Sequence, residues 1–238
     1  MEFLPQDDIQ GVKSVLKLLF NAIKVEPIPR FPLFCSHIFT DSMAVYIPTK
    51  EGPKLLDLNH QENFELWREF IFEKIDKITT PFSIISMINK PYLLAYLKYS
   101  RDYLSKKTFS ELLAYCWTTS ENPNGDVNCS VAEVNSWFRH ADKQEMMDEE
   151  DYQTFLNFPK EMTIYRGVAI GREPYGLSWT DDIKIAEWFA HRFDTEDKIG
   201  YIQEALVKKE WIHAYFSDRA ESEIVVDISK VKKYIKIV

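Results

Sequence analysis

The stretch PKEMTIYRGVAIGREPYGLSWTDDIKIAEWFA (residues 159–190) is where the character of the chain changes. Pro159 closes a region whose apolar residues recur at helical spacing. Beyond it come short runs rich in Ile, Val and Tyr. Met162 to Val168 opens the series, followed by Gly200 to Val207, Trp211 to Phe216, Glu223 to Ile228 and Val231 to Val238. Each reads as a strand. One helix interrupts them. Thr180 is placed to cap it, and Ile183, Ala186, Phe189, Ala190 and Phe193 line one face.

Working upstream, the first two-thirds read as mostly helical. Val12, Val15, Leu16, Leu19 and Ile23 recur at helical spacing, as do Phe64, Trp67, Phe70, Ile71, Ile75 and Ile78. Between them EPIPRFP (Glu26 to Pro32) must break any helix, because proline lacks the N–H and fixes φ. A short extended stretch, Met43 to Ile47, follows. Two capping boxes predict later helix starts: Thr108 with Glu111, and Ser130 with Glu133. SENPNGD (Ser120 to Asp126) is a turn-rich loop between them. The acidic run Glu145 to Asp151 reads as a solvated helix face. Helices followed by a β-rich part make an α+β pattern. The expected division is a helical region at 1–105, a helical lobe at 106–158 and a β core at 159–238.

Composition narrows the function classes. The 238 residues are 45% hydrophobic and 28% charged, the profile of a globular protein. There are seven glycines, under half the usual share of about 7%. They stand at 11, 52, 125, 167, 171, 176 and 200, so neither G-x-G-x-x-G nor G-x-x-x-x-G-K-[ST] can be written. The net charge of −8 excludes a wholly basic nucleic-acid coat. Cys35, Cys116 and Cys129 form no C-x-x-C pair, which suits a reduced cytoplasmic setting and no metal site. MEFLPQDD at the start has no signal-peptide character, and no apolar run is long enough to span a membrane.

The chemistry-bearing residues fall in the β-rich third, in the order Arg166, Ser178 with Thr180, and Glu221 with Glu223. An arginine within an apolar strand is costly to desolvate unless an anion or carboxylate pairs with it. Its planar fork suits a phosphate oxygen pair or a carboxylate. Two glutamates at i and i+2 on a strand point to one face, about 6–7 Å apart. Two such carboxylates can divide labour on one substrate, one stabilising a developing sugar cation and the other activating a nucleophile. Taken singly, each feature has a plain explanation: a structural ion pair, a helix cap, a solvated strand face. Their order and flanks carry the signal.

In that order and with those flanks, the sequence resembles the mono-ADP-ribosyltransferases of the arginine–serine–glutamate class. The likeness runs from about Leu112 to Ile237 and is strongest after Phe158. LNFPKEMTIYRG (156–167) is similar to the family's helix-to-strand passage into its NAD-binding arginine. SWT (178–180) is similar to its serine–x–serine/threonine strand, and AESEIVV (220–226) to its biglutamate motif. The resemblance implies an ADP-ribosyltransferase-like fold, with N-terminal helices before a split β-sandwich core that binds NAD as substrate. It implies that Arg166 holds the phosphate and ribose side of NAD and that the Gly167 backbone meets the nicotinamide amide. Ser178 would position Glu223, which would stabilise the ribose cation, while Glu221 would activate the acceptor. Ser178, Thr180 and Tyr175 complete the expected NAD contacts, with Tyr175 as the aromatic clamp. Only eleven residues separate Arg166 from Ser178, so that clamp loop is short. The turn Ser217 to Ala220 would help to choose the target.

A macromolecular acceptor is implied, either an arginine in a protein or a nucleic-acid base. So is the setting of a toxin or an anti-phage defence effector, with an antitoxin or inhibitor protein as a partner and no membrane. E-x-E favours arginine. In favour of a base stand Lys98, Arg101, Lys106 and Lys107, interleaved with Tyr92, Tyr96, Tyr99 and Tyr103. The plain alternative is a helix burying Leu93, Leu97 and Leu104. Lys230, Lys232, Lys233 and Lys236 form a second basic cluster, which strand alternation would divide between two faces. Residues 1–105 match no pattern and suit target or partner binding. Two other readings remain: a catalytically silent binding module of the same fold, and a serine hydrolase built on GLSWT (176–180) with His191 or His213 downstream.

Overall fold

The computed structural model describes residues 2–217 and 222–238. The chain is α+β with antiparallel sheets, and it divides into two compact units, Glu2–Thr108 and Phe109–Val238. The expected boundary was 105/106; the observed one falls within the first turn of a helix, Lys106–Thr119.

The first unit departs from the mostly helical expectation. It contains helix α1 (Ile9–Ala22), strands β1 (Pro27–Ile28), β2 (Phe31–His37), β3 (Thr40–Ser42), β4 (Ala44–Thr49) and β5 (Gly52–Asp57), then helices α2 (Gln61–Asp76) and α3 (Leu93–Ser100). β1, β2 and β3 form one antiparallel sheet; β4 and β5 form a hairpin in which Pro48 faces Pro53. The prolines that stop a helix here leave extended backbone as the alternative, and on such short strands few ladder donors are lost. The helical faces pack as their spacing required. Val12, Leu16 and Phe20 of α1 are buried with Trp67 and Ile71 of α2, the Phe20 and Trp67 rings lying 5.0 Å apart.

The interleaved tyrosines of this unit are largely engaged within it. Tyr96 is fully buried and its hydroxyl donates to Pro81 O at 2.8 Å. Tyr103 lies against Gly11, where a Cβ would fall 1.9 Å from the ring. Tyr92 shares a 2.8 Å hydrogen bond with Ser36 Oγ. Leu93 and Leu97 of α3 are buried as the plain reading expected, and so is Leu104, although it lies beyond the end of that helix.

The second unit opens with helices α4 (Lys106–Thr119), α5 (Val131–His140), α6 (Lys143–Met146) and α7 (Glu149–Leu156). The Ser130–Glu133 capping box forms as expected. α4 begins before Thr108, whose N–H is accepted by Ser105 Oγ. The acidic run is not all solvated: Asp151 is buried, and both its carboxylate oxygens accept the Ser217 N–H at 3.2 Å. Then come β6 (Glu161–Val168), β7 (Ser178–Thr180), α8 (Ile183–His191), β8 (Tyr201–Lys208), β9 (Ile212–Phe216), β10 (Glu223–Val226), α9 (Ile228–Val231) and β11 (Lys236–Ile237). The cap of α8 is Asp182 rather than Thr180. The first half of the expected last strand is helical turn, because Asp227 accepts the Ser229 N–H and starts α9.

These strands form one antiparallel sheet in the order β11-β8-β6-β7-β10-β9. β6 and β8 pair along their whole length, whereas β6 and β7 meet at a single pair, Tyr165 and Thr180. The sheet is therefore two three-stranded halves joined at one point. Among the described residues, no helix is long and apolar enough to cross a membrane.

A buried polar cluster ties the helices to β10. Asp227 accepts from Asn135 Nδ2, Arg139 Nε and Nη2, and the Ser229 hydroxyl. Nearby, His213 Nε2 donates to Asn135 Oδ1 at 3.1 Å, and its ring stacks on Phe138. Burial pulls the His213 pKa down from 6.5 to about 4. The unfolded chain therefore takes up this proton first, and stability is lost as pH falls from about 6.5 to about 4, by roughly 3 kcal/mol. His213→Gln keeps a donor for Asn135 and should flatten this part of a curve of urea midpoint against pH. An unchanged slope would refute the assignment.

Candidate functional site

The site is built around the central seam of the six-stranded sheet. The register places Arg166 of β6 opposite Gln203 of β8, and both side chains are buried. A guanidinium removed from water must be hydrogen-bonded. Arg166 Nη1 donates to Ser178 O at 2.6 Å and Nη2 donates to Glu173 O at 2.9 Å. Its Nε has no hydrogen-bond partner among the described residues. Burial lowers its pKa to about 10, with the nearby Glu223 and Glu173 charges opposing the shift, so it remains charged at neutral pH. Room for the fork depends on Gly176, where a Cβ would stand 2.2 Å from Nη2.

Ser178 and Thr180 stand at the two ends of β7. Ser178 Oγ accepts from Asn124 Nδ2 at 2.9 Å, and Asn124 Oδ1 accepts the Leu177 N–H at 2.5 Å. The turn-rich loop after α4 is thus fastened to the start of β7 by one amide. Thr180 is buried and faces Glu223 of β10 across the ladder; Ser178 faces Val225. The Trp117 indole N–H, from α4, donates to Glu223 Oε1 at 2.9 Å.

Arg166, Gly167, Ser178, Thr180 and Glu223 all line one cleft of about 200 Å³. Trp117, Tyr165, Trp179 and Phe189 give it aromatic walls, and Arg172, Arg192 and Glu121 stand on its lining as well. Arg192 is also stacked among rings, its guanidinium carbon 4.7 Å from the Phe189 centroid and 4.9 Å from that of Phe193. The arrangement combines a fixed cation, a fixed carboxylate and flat apolar walls. It can hold a planar ring beside an atom that gains positive charge, with an anionic group at the arginines.

One expected member, Tyr175, is not in it. Tyr175 lines a separate hollow with Arg139, Ser229 and Lys232, and Lys232 Nζ lies 4.2 Å from its ring centroid. The Tyr175 N–H is held by Glu173 Oε1, which directs the loop away from the cleft. The aromatic walls instead come from α4, β6, β7 and α8. Glu221 lies outside the described residues, as does the turn before it except Ser217. The histidines needed by a serine hydrolase are elsewhere: His213 is packed on Phe138, and His191 pairs with Asp194. Neither lines the cleft.

Trp117, Asn124, Arg172 and Arg192 are additions to the cleft that the motifs did not supply, as is Gln203 opposite Arg166 behind it in the ladder. Trp117 has the pattern of any buried helical aromatic, and Asn124 that of any turn residue. Only the strand register singles out Gln203. No protein-family model, curated protein or solved structure matches this chain.

Gly167 has a packing role that its expected backbone contact did not anticipate. A Cβ there would lie 2.1 Å from Ala186 O and 2.5 Å from Ala190 N, so α8 lies directly on β6 at this residue. Gly167→Ala should therefore lower stability by about 1–3 kcal/mol through overpacking. A urea midpoint equal to that of the unaltered protein would contradict this close approach.

Proposed function

We propose that this chain is an NAD-dependent mono-ADP-ribosyltransferase of the arginine–serine–glutamate class. The reading rests on one observation: Arg166, Ser178 and Glu223, from three adjacent strands, line a single cleft together with Gly167 and Thr180. On this reading, the sheet joined at Tyr165 and Thr180 is the family's split β core.

The residues present fit part of NAD well. The buried Arg166 Nε lacks a protein acceptor among the described residues, and Glu223, held by the Trp117 indole, lines the same cleft as Arg166. At about 200 Å³ the cleft is small for a whole dinucleotide and suits the nicotinamide–ribose end, which leaves the phosphates to Arg172 and Arg192. NAD would supply a glycosidic bond whose cleavage releases neutral nicotinamide and leaves positive charge on the ribose. Glu223 places a carboxylate where that charge grows, and protein dipoles already oriented need not reorganise to stabilise it. Arg166 and the Asn124–Ser178–Leu177 bonds hold the strand ends that frame the carboxylate. Glu221, two residues before Glu223, is assigned to take the acceptor's proton as the new bond to the ribose carbon forms.

An arginine side chain in a protein is the acceptor this reading favours. E-x-E suits a guanidinium, and burial of Tyr96 with packing of Tyr103 removes much of the stacking surface proposed for bases. The biological setting is that of a toxin or defence effector countered by an inhibitor protein.

Glu223→Gln should lower NAD hydrolysis and transfer together, by about 10²–10⁴-fold. Glu221→Gln should lower transfer more than hydrolysis. Purified protein would be incubated with labelled NAD and either cell protein or total RNA and DNA. Label in a nuclease-sensitive band would rule out the arginine acceptor, and full activity of Glu223→Gln would end the assignment.

A further inference from the structure

We infer that Trp117, and not Ser178, is the positioning residue for Glu223, and that Ser178 is itself held by Asn124. The functional consequence rests on the transferase reading; the positioning contact can be tested without it.

Three observations lead there. First, the β7–β10 register sets Glu223 opposite Thr180 and Ser178 opposite Val225, so the serine does not face the glutamate. Second, the Ser178 hydroxyl accepts from Asn124 Nδ2, and no described hydrogen bond joins it to Glu223. Third, the Trp117 indole N–H reaches Glu223 Oε1 at 2.9 Å from a side chain only 1% exposed.

The indole is also fixed from behind. Its ring packs edge-to-face on Phe138 at 5.2 Å and 89°, and Phe138 in turn stacks on His213. Glu223 is the first residue of β10, directly after Ser222, whose φ of +42° lies in the left-handed region. The ladders to Thr180 and Phe216 fix the Glu223 backbone but not its carboxylate, so a rigid side-chain donor has most to contribute. An indole N–H is a donor without an acceptor or a titrating proton. It can orient the carboxylate and favour its charged form while taking no part in proton transfer. A serine hydroxyl could do both jobs.

The test replaces Trp117 with Phe, and separately with benzothienylalanine, which keeps the bicyclic shape and lacks the N–H. For NAD hydrolysis, kcat should fall about 10- to 100-fold with KM nearly unchanged, as for loss of one hydrogen bond to a charged group. The acid limb of the kcat–pH profile should move to higher pH, since the charged carboxylate has lost a donor. Ser178→Ala should leave that limb in place. Unchanged kcat and profile in the benzothienylalanine protein, or an equal shift in Ser178→Ala, would overturn the inference.

An activity-independent readout separates this from failure of the transferase reading. In protein labelled with 15N-tryptophan, the Trp117 indole resonance should titrate with a carboxylate and shift strongly in Glu223→Ala. It should be nearly unmoved in Ser178→Ala. Absence of NAD turnover in the unaltered protein, with this titration present, would refute the transferase reading alone. An indole resonance indifferent to Glu223→Ala would refute the positioning role whatever the activity.

Discussion

A guanidinium taken out of water is the constraint on which the second unit depends. Arg166 shares its strand face with the buried Ile164 and Val168, where nothing apolar can satisfy its donors. Two backbone carbonyls supply acceptors, that of Glu173 in the connection from β6 to β7 and that of Ser178 at the first residue of β7. That connection is accordingly drawn in over the arginine, and Gly176 is the residue that lets it come close. The short spacing between Arg166 and Ser178 thus has a structural reason. A longer loop would have more conformations to lose before its carbonyls reached the fork.

The cleft follows from this closure. Once the start of β7 is fixed, β10 is fixed by its ladder to β7, and Glu223 arrives opposite Thr180. α4 and the loop after it then complete the enclosure through Trp117 and Asn124, each donating to a residue that the strands have already placed. The result is a site made mostly of strand-borne groups supported by helix-borne ones. Such placement holds side chains more precisely than a loop would.

The second unit was legible in the sequence where periodicity and chemistry agreed. β6, β8, β9 and β10 lie close to their expected runs, because alternation of Ile, Val and Tyr leaves few other ways to bury those residues. Arg166, Ser178 and Glu223 were named from their order and flanks, and the strands bring all three to one cleft. Within residues 27–57 the break at EPIPRFP and the extended stretch Met43 to Ile47 were legible, but the remaining strands were not, since prolines mark where a helix cannot continue and do not reveal pairing between short strands. Tyr175 failed for a different reason: the Tyr175 N–H bond to the Glu173 side chain sets the loop's direction, and no composition rule encodes that choice. Asp151 also escaped notice, because a run of acids conceals the one that turns inward to receive the Ser217 N–H.

The lone Tyr165–Thr180 pair between the two half-sheets has a mechanical consequence. A twist of one half against the other strains this bridge and the Arg166–Ser178 O bond beside it, while the ladders within each half stay whole. The softest deformation of the sheet is therefore centred on the residues that line the cleft. Breathing along this seam would change the width of the cleft without unravelling a strand, and the Arg166 guanidinium, rooted in one half and bonded to Ser178 O of the other, is the side-chain tether that limits it.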